Sequence, residues 1–127
     1  MENIIILSRN DLTNAKIKTI FKNSLFDGTV NPSRKSKNVL IEKDDERSWL
    51  YPSDGDQDLC DYGPEDLPSI AFRPFISSIG YHDISFAADI VKIIYPFLGE
   101  GSLVDDDHGS TVSAEAFILK YANKGPK

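Results

Sequence analysis

Three consecutive carboxylates followed by an imidazole, Asp105-Asp106-Asp107-His108, are the densest set of chemically capable side chains in this sequence. A short apolar run, Ser102 to Asp105, reads as a strand leading into them. Side chains alternate along a strand, so Asp105 and Asp107 can share a face, with His108 nearby after the turn. Carboxylate oxygens suit Mg²⁺, Mn²⁺ or Ca²⁺, and a histidine moves the preference toward a transition metal. The same residues equally suit a solvated turn whose aspartates cap the following backbone, or an acidic patch for a partner.

A second set lies earlier. Counting Asp54 as the first position, acids fall at positions one, three, five and twelve (Asp54, Asp56, Asp58, Glu65), the spacing of a calcium-binding EF-hand loop. The sixth position is Leu59, where the sharp turn needs glycine, and Pro64 stands where the exiting helix would begin. No entering helix precedes the loop. The reading that remains is an acidic loop able to dock a basic protein, with Asp61 adding to its charge. Tyr51 and Tyr62 flank it, and aromatic rings beside charge make good interface anchors.

Nucleophilic chemistry finds less support. Cys60 lies among carboxylates, which raise a thiol's pKa and disfavour the thiolate. His82 and His108 are the two histidines. His82 precedes a helical pattern and is suited to cap it. Ser78, His82 and Asp83 can be written as a triad, but proximity in sequence says nothing about geometry. No phosphate loop, dinucleotide fingerprint, paired CxxC or HExxH occurs.

The elements that must position these residues follow from periodicity. Ile84 to Leu98 is apolar around most of its girth, with Asp89 and Lys92 marking a solvent side, and predicts a central helix covered by a sheet. Asn3–Leu7 reads as a buried strand. A helix over about 12–24, capped by Asn10 or Asp11, should bury Ile17, Ile20, Phe21 and Leu25. Residues 29–37 read as a polar loop, and 38–42 and 47–51 as strands joined through Asp44-Asp45-Glu46. Residues 52–68 form a long acidic loop. Another strand is predicted over 69–76, interrupted by Pro74, which suggests an edge position or a strand end, followed by a turn over 77–82. Ser113 should cap a last helix at about 114–122, and 123–127 form a tail. The order β-α-β-β-β-α-β-α predicts one α+β domain over 1–127. Its architecture is a single-layer, mostly antiparallel sheet with helices on one face, ferredoxin-like, plus a C-terminal helix.

The 127 residues suffice for one core. No apolar run reaches the length of a membrane span, and the N-terminus lacks the basic region of a signal peptide. With a single cysteine this predicts a cytoplasmic protein with no membrane partner. The net charge of −6 is unevenly distributed. Residues 1–41 carry three acids and seven bases, whereas 42–66 carry ten acids and two bases. Such a pole repels nucleic acid and attracts a basic partner.

The segment from Ser69 through the central helix to Leu103-Val104-Asp105-Asp106-Asp107-His108-Gly109, with a short capped helix after it, resembles the C-terminal half of small bacterial immunity proteins. These belong to contact-dependent growth inhibition and related polymorphic toxin systems. The resemblance implies a cytoplasmic, non-enzymatic protein, without cofactor or metal, that binds and neutralises a cognate toxin domain. A nuclease is the expected toxin, because its basic cleft complements acids. The residues expected to meet it are Asp44, Asp45, Glu46, Tyr51, Asp54, Asp56, Asp58, Asp61, Tyr62, Asp105, Asp106, Asp107 and His108. The alternative is a small metal-binding enzyme with Asp105, Asp107 and His108 as ligands. Oligomeric state stays open.

Overall fold

The computed structural model describes residues 2–32, 38–57, 73–105 and 111–122. Among these, seven strands and three α-helices follow in the order β1 (Glu2–Ser8), α1 (Asn14–Lys22), β2 (Thr29–Pro32), β3 (Val39–Lys43), β4 (Glu46–Tyr51), β5 (Phe75–Tyr81), α2 (Ile84–Ile94), β6 (Leu103–Asp105), β7 (Thr111–Ser113) and α3 (Ala114–Tyr121). The strands form one sheet ordered β2-β3-β4-β5-β1-β6-β7. Every neighbouring pair is antiparallel.

The middle of this sheet has the predicted ferredoxin-like order. In chain sequence β1-α1-β4-β5-α2-β6, the four strands lie as β4-β5-β1-β6. β5 and β6 run parallel, joined through α2, with β1 antiparallel between them. β1 and β4 are likewise parallel with β5 between. These are two split βαβ units. The β2–β3 hairpin follows α1 and widens one edge, and β7 widens the other.

Register divides the sheet into two faces. Ile4 pairs with Ile79 and Ile6 with both Ser77 and Val104; Leu50 lies between Ile79 and Val39. These side chains share one face and form the core with Ile17, Ile20 and Phe21 of α1, Phe86, Ile90, Val91 and Ile94 of α2, and Phe117 of α3. Ile90, Val91 and Ile94 are fully buried, and each such side chain stabilises the fold by about 1.5–3 kcal/mol. Ala87 and Ala88, also fully buried, add little bulk on the same helix.

The caps differ from expectation. Thr13, rather than Asn10 or Asp11, caps α1: its Oγ1 accepts from Lys16 N at 3.2 Å. Asp83, rather than His82, caps α2 by accepting from Ser85 N at 2.9 Å. Ser113 caps α3 as expected, accepting from Ala116 N at 3.1 Å.

Four other expectations are corrected. Residues 29–32 are a strand, not part of a loop: Val30 pairs with Ile41, and Pro32, unable to donate, sits at an outer edge. Residues 77–81 are the interior of β5 rather than a turn, and Pro74 precedes that strand. The small polar run Ser77-Ser78 and Gly80 masked a strand that pairs on both sides. Leu25 is fully exposed because α1 ends at Lys22, before its row returns to the core. Phe97, about half exposed, lies in the 3₁₀ turn Tyr95–Phe97 that follows α2.

Two hydroxyls are buried on the core face without a hydrogen-bond partner, those of Ser48 and Ser77. An unmet buried hydroxyl costs about 1–3 kcal/mol. Ser48→Ala and Ser77→Ala should therefore keep or raise stability, by up to about 1 kcal/mol after the lost contacts are counted. Urea unfolding of each variant measures this, and a loss of similar size would mean that the hydroxyl has a partner.

Candidate interaction surface

The core occupies one face of the sheet; of the predicted site residues, Tyr51, Asp56 and Asp105 belong to the other, which carries no helix among the described residues. On that helix-free face Tyr51 of β4 pairs with Ser78 of β5, Ser78 with Ile5 of β1, and Ile5 with Asp105 of β6. Tyr51 and Asp105 thus occupy one row across four strands, about 14 Å apart at the usual strand spacing. A second row holds Leu40, Trp49, Gly80 and Asn3. A third holds Ile76, Leu7 and Leu103, with Leu7 fully buried between its neighbours.

Across these rows, along β1, β5 and the end of β4, lies a groove of about 550 Å³. Ile5, Ile76 and Pro52 give it apolar surface, Asn3 and Ser78 give polar groups, and Tyr51 and Asp56 stand at its side. No lysine or arginine lines it among the described residues. Trp49, the single tryptophan, meets the His82 ring edge-to-face at 5.8 Å on the same side of the sheet.

The chain leaving β4 is held rigidly before the acidic loop departs. Ser53 to Asp56 is a tight turn closed by Asp56 N donating to Ser53 O at 2.8 Å. Its central residues, Asp54 (φ 43°) and Gly55 (φ 86°), are both left-handed, which Asp and Gly tolerate. Asp11 accepts from Ser53 Oγ at 2.6 Å and from Gly55 N at 2.9 Å. Leu12 N donates to Ser53 Oγ at 2.7 Å, and Ser53 N donates back to Leu12 O. Two further bonds join the ends of the acidic loop: Ile76 N donates to Asp56 O at 2.8 Å, and Gln57 Nε2 to Arg73 O at 3.1 Å.

The thirteen predicted residues therefore separate. Tyr51, Asp56 and Asp105 belong to the helix-free face. Asp54 is committed elsewhere: its Oδ1 accepts from Asn14 N at 3.1 Å, at the start of α1. That bond also conflicts with a first calcium ligand at this position. Asp44 and Asp45 form the exposed β3–β4 turn, with Asp44 left-handed (φ 54°) and Glu46 paired in register with Lys43. Tyr51 lies six positions beyond Asp45 along β4, about 20 Å of strand. Asp58, Asp61, Tyr62, Asp106, Asp107 and His108, together with Cys60 and the remainder of the calcium-like spacing, lie outside the described residues. Among the described residues no three His, Cys, Asp or Glu side chains converge as metal ligands do.

The two bases of the acidic stretch are taken up by ion pairs. Lys43 Nζ lies 2.9 Å from Asp27, and Arg47 lies 3.0 Å from Glu42. The Lys43 hydrogen bond and charge hold the Asp27 carboxyl below its usual value, and Asp27 in turn raises Lys43. What the sequence reading missed is the groove itself. Ile5 and Ile76 looked like core, and Ser78 looked like a turn. The alternation of apolar with small polar residues in 75–81 was the signal that could have found it.

Comparison with known protein families, with curated proteins and with solved structures finds no match to this chain. No helix among the described residues is long and apolar enough to cross a membrane.

Two expected outcomes follow. Asp54→Asn keeps an acceptor and tolerates the left-handed backbone, so stability should change by only a few tenths of a kcal/mol, whereas Asp54→Ala should lose about 1 kcal/mol or more. Denaturant midpoints distinguish the two. For the Asp27–Lys43 pair, a carboxyl depressed in the folded state stabilises above its unfolded pKa, and this is lost as pH falls through the folded value. Asp27→Asn should therefore be less stable than the parent at neutral pH. The gap should close at acid pH and shrink in high salt, as thermal melts across pH would record.

Proposed function

We propose that this protein is an immunity protein: it binds a basic toxin domain in the cytoplasm, without catalysis, and blocks it through an acidic surface. A nuclease is the favoured target, because it must present cationic side chains to phosphates. The observation that carries the reading is that Tyr51, Asp56 and Asp105, chosen by residue type, share the helix-free face, with Tyr51 and Asp56 at a groove and Asp105 farther along the Tyr51 row. A sheet face with apolar floor and acidic border suits a protein partner better than a nucleic acid. The residue charge supports it: ten acids against two bases over 42–66, with both bases engaged by other acids.

Co-expression with the neighbouring open reading frame tests the function. A neighbour that is toxic alone and harmless beside this protein supports it; toxicity undiminished by this protein overturns it. Charge neutralisation then locates the surface. Asp44→Asn with Asp45→Asn should slow association about tenfold or less at low salt, with little effect on dissociation, because these acids stand far from the groove. Asp56→Asn with Asp105→Asn should speed dissociation. Surface-immobilised kinetics at two salt concentrations separate the two effects.

A further inference from the structure

We propose that the cleft between α1 and the 3₁₀ turn Tyr95–Phe97 docks an acidic segment of a partner protein, with one large apolar side chain seated against Phe97 and carboxylates beside the lysines of α1. This is a second surface, on the helix side of the sheet and opposite in charge to the one proposed above. The cleft holds about 340 Å³ and is lined by Ala15, Lys16, Thr19, Ile20 and Asn23 of α1 and by Phe97. Binding pockets run from about 300 to 1,000 Å³, so this one suits a side chain rather than a whole helix. Phe97 is 49% exposed, more than any described Tyr. Two polar groups of the lining already bond within the protein. Thr19 Oγ1 donates to Ala15 O at 3.2 Å, and Lys16 Nζ donates to Asp11 O at 2.9 Å. A polar occupant would therefore give up water for few hydrogen bonds, whereas an apolar one gains burial.

Charge complementarity sets the sign of the partner. The nine residues of α1 include three lysines and no acid. Positions three and four apart are neighbours on a helix, so Lys18 stands beside Ala15 and Lys22 beside Thr19, along the rim of the cleft. Lys16, Lys18 and Lys22 are all exposed, and none forms a salt bridge among the described residues. The Lys16 bond goes to a carbonyl oxygen and not to a carboxylate. Asp11 and Asp54, the acids next to the start of α1, are bonded to Ser53, Gly55 N and Asn14 N. A phosphate polymer would also be drawn to the lysines, but it would leave Phe97 and Ile20 unused and meet a net charge of −6. An acidic protein segment uses both the charge and the apolar wall.

The test uses the ¹⁵N-labelled full chain and four probes. These are a short peptide of aspartates and glutamates around a central phenylalanine, the same peptide with alanine at the centre, the same with lysines replacing its acids, and a single-stranded oligonucleotide. Saturable amide shifts centred on Lys16, Thr19, Ile20, Asn23 and Phe97 are expected with the phenylalanine-bearing acidic peptide, and should weaken as salt is raised. The alanine-bearing and basic peptides should shift these amides little. Phe97→Ala should weaken binding about tenfold or more. Lys16→Gln with Lys22→Gln, both on exposed helix positions, should weaken it about two- to fivefold at low salt. Both variants should retain the parent's amide spectrum away from the cleft. Equal binding of the alanine-bearing or the basic peptide would overturn the inference. So would tighter binding of the oligonucleotide at the same amides, shifts scattered over the surface, or no saturable shift at millimolar peptide. A lysine variant that binds the acidic peptide at low salt as the parent does would overturn it as well.

Discussion

Burial of α2 against one face of the sheet is the constraint on which the rest of the structure depends. The helix is apolar over most of its circumference, and Phe86, Ala87, Ala88, Ile90, Val91 and Ile94 are all buried. One sheet face cannot enclose it, so α1 and α3 complete the covering with Ile17, Ile20, Phe21 and Phe117. Both helices must then lie on the same side as α2, and the opposite face of the sheet receives no helix. The split crossovers enforce the same outcome, since β5 and β6 place β1 between them and carry α2 over one side. That this face carries no helix among the described residues is a consequence of how the core closes, before any demand of binding enters.

That geometry explains why the acidic stretch does not act as one patch. A strand six residues long carries charge from the β3–β4 turn to the Ser53–Asp56 turn, and its length keeps the two groups apart. Only the second group is tied to the core side of the molecule. Asp11, Leu12 and Ser53 bond one another across the gap between the start of α1 and the end of β4. The carboxylate of Asp54 contributes to the same junction through Asn14 N. Negative charge at this point thus serves two purposes: some of it fixes the backbone, and some faces the groove.

Much of the architecture was legible because apolar periodicity is a strong signal where burial is complete. Strand β1 with Ile4 and Ile6, the α2 rows as far as Ile94 and the Ser113 cap lie where the sequence places them. Legibility failed where a residue's environment is set by distant pairing. Ser77, Ser78 and Gly80 resemble a turn by composition, yet β1 and β4 pair with them from both sides. Leu25 resembles core by hydrophobicity, yet α1 stops a turn short. Tyr51 and Asp105 were chosen by residue type alone, and nothing local places them in a common row, because their strands are joined only through β5 and β1. Asp54 shows the converse: its acidity suggested exposure to a partner, and its position gives it a backbone donor instead.

The separation between the acidic groups also sets what each can contribute to a basic partner. Charges act strongly only within about 8–10 Å at physiological salt, and the β3–β4 turn stands about twice that distance from Tyr51 along the strand. Asp44 and Asp45 therefore shape the field met by an approaching molecule more than the energy of a contact at the groove. Asp56 is exposed as well, but it stands beside the apolar side chains of Ile5 and Ile76, where a partner seated on this face would exclude water from it and strengthen its charge interactions. On the proposed immunity reading, such a surface would divide capture from retention: the turn would attract a basic partner across solvent, and the sheet face would make the short-range contacts.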